Sequence, residues 1–372
     1  MNRDEISGAA DVPFPFTETA VRSLLSWYEK SHRILPWRDT GNPEDVWISE
    51  IMLQQTRVEA VKTYFTRFRA ALPDARAIAS CPEDVLLRLW EGLGYYSRAR
   101  NIKKCAGILV RDYGGSLPED PALLRKLPGI GPYTAGAIAS IAYGVPVPAV
   151  DGNVLRVSAR LTGSREDISS PAVVRKCTAW IQDLLRFCVS AIPGFSAGSL
   201  NQALMELGAL LCVPNGAPSC SACPLRSICR ADAMHDTASI PYRAPKKKRR
   251  IEERTILVIR DGGRFFLRRR PAKGLLAGLY EFPGFSGHLT AQQAAAAAKS
   301  LGFTPLRVTP LPEGTHIFTH IEWHMTAFEI RTAELSGNLP EDSVLAEREE
   351  LDRFALPSAF RTWTSWYALR KA

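Results

Sequence analysis

The chain has 372 residues, 46% of them apolar, and a formal net charge of +9 at neutral pH. That length holds two or three domains with real cores, and the charge asks for a polyanionic partner or an anionic surface. No apolar run reaches the ~18 residues of a membrane span, MNRDEISGAADVPFPF lacks a signal peptide's apolar centre, and four of the eight cysteines crowd into eighteen residues. An intracellular, membrane-free protein without a disulfide scaffold is expected.

In chain order, TETAVRSLLSWYEKS reads as a first helix, and HRILPWRDTGNPEDVW as an irregular basic and aromatic segment. Arg33, Leu35, Trp37 and Arg38 combine planar apolar surface with forked donors, as a pocket for a flat heteroaromatic group would; a loop anchored by Trp37 fits the same composition. Residues 46–69 carry Ile48, Ile51, Met52, Val58, Val61, Phe65 and Phe68 at the helical period, predicting one long helix. Glu50 borders that apolar face, where a raised pKa would suit a general acid; the alternative is a first-turn glutamate complementing the helix dipole. Gln54, Gln55 and Thr56 beside it are uncharged hydrogen-bonding groups suited to touching bases.

Three further helices are expected over 73–126, from PEDVLLRLWEGL, GYYSRARNIKKCAGILVRDYG and DPALLRKL. Tyr95 and Tyr96 precede a basic stretch with Arg98, Arg100, Lys103 and Lys104; the rings could enter a base stack while the cations hold phosphates, or simply pack on the turn. Leu127-Pro128-Gly129-Ile130-Gly131 predicts a tight hairpin between two helices, with Gly129 and Gly131 permitting close approach and open N–H groups seating a phosphate. An apolar connection, Val145 to Val150, then delivers Asp151 to the front of DGNVLRVSARL, where it is either an N-cap alone or also a carboxylate offered to substrate.

Two more helices follow, the second bearing Gln202 and Glu206 one turn apart, and it runs into Cys212-x7-Cys220-x2-Cys223-x5-Cys229. Four cysteines so spaced signal a metal site, zinc or a cubane iron–sulfur cluster, while Cys81, Cys105, Cys177 and Cys188 fit a helical core. RADAMHDTASIPYRAPKKKRR reads as a basic linker that touches phosphate or carries a targeting signal. Beyond it the composition turns to strands: a hairpin in RTILVIRDGGRFFLRRRP, a short strand in GLYEFPGF, a helix in LTAQQAAAAAKSLGF and one strand in HIFTHIEWHMTAFEIRT.

LPGIGPYTAGAI followed by VDGNVLRV resembles the helix-hairpin-helix and aspartate motif of the DNA glycosylase superfamily that includes endonuclease III. With SEIMLQQTRV, GLGYYSRARN, NQALMELGALLC and the four-cysteine loop, the chain resembles the adenine DNA glycosylase (MutY) family over residues 17–370. The resemblance implies a multidomain protein. An all-α glycosylase region (17–229) would hold two subdomains, a six-helix part at about 36–146 and a remainder ending in an iron–sulfur loop (212–229). A basic linker (230–250) and an α/β Nudix-like lesion-recognition domain (251–370) would follow.

By the same resemblance, Glu50 and Asp151 are the catalytic carboxylates, Asn153 helps hold Asp151, and Tyr133 stands where bifunctional relatives carry a Schiff-base lysine. Arg33, Leu35, Trp37, Arg38, Gln202 and Glu206 line an adenine pocket. Gln55, Tyr95, Gly129, Gly131, Phe318, Thr319 and His320 meet DNA or the lesion. Cys212, Cys220, Cys223 and Cys229 bind a [4Fe–4S] cluster. The implied activity is removal of adenine mispaired with 8-oxoguanine or guanine in double-stranded DNA, by a monomer of the cytoplasm or nucleoid in a bacterium, or of the nucleus in a eukaryote. A noncatalytic mismatch-binding protein of the same fold is the alternative, and the presence of both carboxylates disfavours it. Two departures stand out: the first cysteine spacing is one residue longer than the family's, and the family's FSH reads Phe318-Thr319-His320. The helix comparable to the Nudix metal-binding helix reads Ala295-Ala296-Ala297-Ala298-Lys299-Ser300, without a carboxylate, so no Mg²⁺ is expected there.

Overall fold

The computed structural model describes residues 16–245, 248–333 and 339–369. The chain forms two compact units, one from the residues up to Ala79 together with Asn101–Pro245, the other from Ser80–Arg100 together with the residues beyond Pro245. In order, the helices are α1 (Glu18–Ser31), α2 (Pro43–Leu53), α3 (Val58–Ala71), α4 (Ala75–Ser80), α5 (Glu83–Leu89), α6 (Ser97–Asp112), α7 (Pro121–Leu124), α8 (Pro132–Tyr143), α9 (Gly152–Thr162), α10 (Pro171–Ala191), α11 (Ala197–Leu210) and α12 (Arg230–Ala233).

Local chemistry sets these boundaries. Thr17 caps α1, Asn42 and Pro43 open α2, Asp120 and Pro121 open α7, and Asp151 caps α9. Each such cap satisfies N–H groups that the first helical turn leaves open. In the first unit, α1, α9, α10 and α11 enclose a core that includes Val21, Leu24, Val157, Ile181, Leu185, Leu200 and Leu204. Trp47, Ile48 and Phe68 are buried as well, each such side chain contributing roughly 2–3 kcal/mol.

The single helix expected over 46–69 is two helices. α2 stops at Leu53, Gln55 takes a left-handed φ of 59°, and α3 restarts at Val58. The apolar period continues through the break, so periodicity could not locate it. Residues 230–245, read as linker, are packed onto the first unit. α12 begins the segment, Ile240 is fully buried, Arg160 Nε donates to Ile240 O (2.8 Å) and Ile168 N donates to Tyr242 O (3.1 Å). Ala231 is fully buried beside Ile240, and Arg165 pairs with Asp236 and bonds Ser239, so long-range contacts hold this otherwise polar stretch. Lys246 and Lys247 of the basic run lie outside the described residues.

The second unit is built on a seven-stranded mixed sheet. Its strands are β1 (Arg250–Asp261), β2 (Arg264–Arg269), β3 (Tyr280–Glu281), β4 (Gly284–Ser286), β5 (Pro305–Ile317), β6 (Ile321–Thr332) and β7 (Ser343–Glu347). The spatial order is β3-β2-β1-β6-β5, with β4 on β1 and β7 on β2; β1 and β6 run parallel, with Thr255 opposite Thr326. Helix α13 (Ala291–Ser300), opened by a Thr290–Gln293 capping box, shares a core with Leu257, Ile259, Phe266 and Ile330. Helix α14 (Arg361–Leu369) contributes Trp363 to a second core, with Ile256, Phe265, Trp323 and Met325.

The one strand expected in HIFTHIEWHMTAFEIRT is instead the end of β5, a reversal and β6. Phe318-Thr319-His320 forms the reversal, closed by Phe318 N donating to Ile321 O (2.8 Å). No glycine or proline marks this turn, so the sequence reads through it.

Candidate active site

Four pieces of the first unit converge on one cavity of about 400 Å³. They are the loop after α1, the end of α2 with its break, the starts of α8 and α9, and one face of α11. Arg33, Leu35, Trp37, Arg38, Glu50, Gln55, Tyr133, Asp151, Asn153, Gln202 and Glu206 all line it, which brings Gln55, expected among the lesion-probing residues, beside the expected catalytic and pocket residues. Ser49, Gln54, Thr56 and Met205 line it too. The α2–α3 break puts Gln54, Gln55 and Thr56 on the wall; a continuous helix would have spread them around its circumference.

Glu50 is buried, and its neighbour across the cavity is the N-terminal turn of α8. There the Tyr133 hydroxyl donates to Glu50 Oε2 (2.6 Å), with Met205 Sδ 3.5 Å from the same hydroxyl. Burial pushes the Glu50 carboxyl up to about 7, against the Tyr133 bond, which favours the anion; the Asp151 charge adds to the rise and Arg38 opposes it. Burial likewise drives the Tyr133 phenol well above its ordinary range, so it remains a donor.

Asp151 is indeed an N-cap. Its Oδ1 accepts from Asn153 N (2.9 Å) and Val154 N (2.8 Å), and its Oδ2 from Asn153 Nδ2 (2.7 Å). Burial raises its pKa even though these three bonds favour the carboxylate. Behind it, Arg156 Nη2 donates to Asn153 Oδ1 (2.8 Å) and to Gly208 O (2.7 Å), and Arg156 Nε donates to Cys212 O (2.7 Å). This buried arginine was not singled out from the sequence; its signal was a cation in the middle of an apolar helix.

Glu206, on α11, accepts from Arg33 N and Nε (both 2.8 Å), from Arg33 Nη2 (2.9 Å) and from Arg38 Nη2 (3.2 Å). Burial acts to raise its pKa, but the Arg33 bonds and Arg38 outweigh that and hold it at about 2. The cavity therefore has one anion clamped by two arginines and a second carboxyl poised near neutrality.

The glycine hairpin forms as expected between α7 and α8. Gly129 has φ 81°, and a Cβ there would lie 2.9 Å from Asn101 Cβ, so glycine is required. Gly131 caps α8 without a side-chain bond and has open space around it, which leaves room for a ligand at the helix start. Tyr95, Phe318, Thr319 and His320 do not join the first cavity. They line another, of about 420 Å³, in the second unit, where Tyr95 has φ 46° and its hydroxyl hydrogen-bonds Thr319 Oγ1 (2.5 Å).

The four-cysteine expectation does not hold. Among the described residues no group of three or more His, Cys, Asp or Glu side chains is arranged to hold a metal ion, so neither the [4Fe–4S] cluster nor its ligand set is supported. Cys212, Cys220, Cys223 and Cys229 border a small cavity of about 30 Å³. Two of the sulfurs are engaged with Arg160: its Nη1 donates to Cys212 Sγ (3.2 Å), and Cys229 Sγ donates to its backbone oxygen (3.6 Å). Burial also pushes the Cys223 thiol up to about 11. The cysteine spacing that suggested ligands fits a packed loop around Arg160.

No helix among the described residues is long and apolar enough to cross a membrane. Residues 48–183 match the model of the HhH-GPD superfamily of base excision DNA repair proteins, and residues 255–365 match that of the NUDIX domain. Rat adenine DNA glycosylase is 33% identical over 94% of this chain and 75% of its own length, and the human enzyme 34% identical over 88% and 69%. Among solved structures, a thermostable thymine-DNA glycosylase is similar at 26% identity with a TM-score of 0.50, covering 57% of this chain and 95% of that one. With an α-helical hairpin-bearing unit ahead of an α/β NUDIX unit and relatives matched along nearly its whole length, the chain belongs to the adenine DNA glycosylase family of the helix-hairpin-helix superfamily.

Proposed function

We propose that this enzyme is a monofunctional glycosylase that hydrolyses the N-glycosidic bond of adenine mispaired with 8-oxoguanine, and with guanine, in duplex DNA. The observation that carries this reading is the meeting of Glu50, held at about 7, with the threefold-capped Asp151 in one cavity. A carboxyl near neutrality can donate a proton at working pH, and a second carboxylate can stabilise the positive charge that then develops on the sugar.

Adenine reaches the cavity by leaving the base stack. Glu50 protonates N7, the glycosidic electron pair leaves with the base, and Asp151 stabilises the oxocarbenium-like sugar until water adds at C1′ and passes its proton to the Glu50 carboxylate. Tyr133 orients Glu50, and Asn153 orients Asp151. Leu35 and Trp37 supply flat apolar wall, while Gln202 and the Glu206-clamped Arg33 and Arg38 supply polar groups for the base edge. With Tyr133 rather than lysine at the mouth of α8, no amine is offered there to the sugar, which supports base removal without Schiff-base strand cleavage.

Gln55 and Tyr95 would probe the stack, the start of α8 beyond Gly129 and Gly131 would receive a phosphate, and Phe318-Thr319-His320 would read the 8-oxoguanine edge. The test is single-turnover adenine release from duplexes carrying adenine opposite 8-oxoguanine, guanine, cytosine and thymine. Release should be fastest opposite 8-oxoguanine, then guanine, leaving an intact abasic strand until alkali is added. Equal release opposite thymine removes the mispair reading, and cleavage without alkali removes the monofunctional one.

A further inference from the structure

We propose that Asn201 is a positioning residue for this reaction: from the middle of α11 it straps down the proline-rich connection that delivers Asp151 to the cavity. The inference rests on the reading above that Asp151 acts on the sugar. Residues 145–150 have no regular structure, and Pro146 and Pro148 lack an N–H, so the connection has few ways to hold itself. Its own backbone bonds are short-range, Val145 N to Ala139 O (3.0 Å) and Val147 N to Val145 O (2.8 Å).

Asn201 is completely buried, and both hydrogens and the oxygen of its amide are engaged. Oδ1 accepts from Ala149 N (3.1 Å), while Nδ2 donates to Val147 O (2.9 Å) and to Ser140 Oγ on α8 (2.8 Å). One side chain thus ties α11 to α8 and to both sides of Pro148, three residues before Asp151. The junction has no slack in which to re-form without it. A Cβ on Gly136 of α8 would meet Pro148 O at 2.1 Å, and one on Gly198 of α11 would meet Ser140 O at 2.6 Å. Gln202, Met205 and Glu206 follow on α11 and line the cavity, so Asn201 fixes the register between the carboxylate and the base-binding wall. Gln182 Nε2 also bonds the connection, at Pro146 O (2.9 Å), but from its exposed side.

Removing Asn201 strands the buried Ala149 N–H and the part-buried Val147 carbonyl and frees the approach to Asp151; a shift of about 1 Å in a reacting group can cost on the order of 10²-fold in rate. The experiment measures single-turnover adenine release from an adenine·8-oxoguanine duplex. In parallel it measures affinity for the same duplex carrying 2′-fluoro-deoxyadenosine, which resists cleavage. Asn201→Ala should slow release by about 30-fold with affinity within about threefold, and Gln182→Ala should leave both within about twofold. Asn201→Ser, which keeps a hydroxyl at the site, should recover part of the rate; should Asn201→Ala not fold, Asn201→Ser is measured the same way. A rate within about threefold of wild type in the variant that folds, or rate and affinity falling together, overturns the proposal. Asp151→Asn, run alongside, separates the two readings. Full activity there sinks the role of Asp151, whereas loss there with a normal Asn201 variant sinks only the strap.

Discussion

The Tyr133 hydroxyl donates to Glu50 Oε2 across 2.6 Å, and this bond, with the Arg38 charge, opposes the burial and the Asp151 charge that raise the carboxyl's pKa. Burial and the Asp151 charge favour the protonated acid, the tyrosine favours the anion, and the balance falls at about 7.

Tyr133→Phe removes the restraining bond, so the Glu50 pKa should move further up. A general acid is active while protonated, so the alkaline limb of the single-turnover rate should shift to higher pH by about one unit. The rate at its plateau should fall about tenfold because the carboxyl loses its orienting donor. The pH profile of the variant checks both effects, and an alkaline limb moving to lower pH contradicts the assigned hydrogen bond.

The two cavity glutamates should affect stability with opposite signs. Glu50 binds its proton more tightly folded than unfolded, so ionising it costs stability as pH rises from about 4.5 to about 7. Glu50→Gln should therefore stabilise the fold at pH 8, by on the order of 2 kcal/mol. Glu206 is depressed to about 2, so its contribution is complete above about 4.5 and is lost as pH falls toward 2. Urea unfolding at pH 3, 5 and 8 should show Glu206→Gln most destabilised relative to wild type at pH 5 and 8, with the gap narrowing at pH 3.

Gly208 sits where α11 meets the Asp151 cap. A Cβ there would lie 2.6 Å from Asn153 Cβ and 3.1 Å from its Cα, so Gly208→Ala must displace backbone. Adenine release should slow by at least about tenfold, and stability should fall by roughly 1–3 kcal/mol. Thermal unfolding and single-turnover kinetics together test this, and a normal rate would mean that Asn153 can move without disturbing Asp151.

Much of the site was legible because its chemistry lies in short, dense motifs. Glu50, Gln55, Tyr133, Asp151 and Glu206 each stand within a few residues of a turn signal or an apolar face that gives them direction. What the sequence hid was long-range or acyclic. Arg156 and Asn201 look like stray polar positions in apolar helices, and only the folded chain shows that they bond backbone carbonyls distant in sequence. Helix periodicity ran through the Gln55 break, and strand alternation ran through the Phe318-Thr319-His320 reversal, because neither turn is built from glycine or proline. The cysteine spacing misled in the other direction, suggesting a ligand set where the folded loop engages Cys212 and Cys229 with Arg160.

Thr319 tests the proposed reading of the lesion strand. Its hydroxyl bonds the Tyr95 hydroxyl within the second unit and is, with His320, a polar group of the reversal that could meet an 8-oxoguanine edge. Thr319→Ala should cut the preference for adenine·8-oxoguanine over adenine·guanine by roughly tenfold, the equivalent of about 1.4 kcal/mol of discrimination. The ratio of single-turnover rates on the two duplexes measures it, and an unchanged ratio excludes the hydroxyl from recognition.

The most direct measurement is single-turnover adenine release at pH 7 by Glu50→Gln, set beside its affinity for the uncleavable duplex. Glutamine keeps the shape of the side chain but cannot deliver the proton that the carboxyl at about 7 is placed to give. The rate should fall by at least about 10²-fold while affinity stays within about threefold. A variant that binds and releases adenine at near wild-type rate contradicts the assignment of Glu50 as the acid.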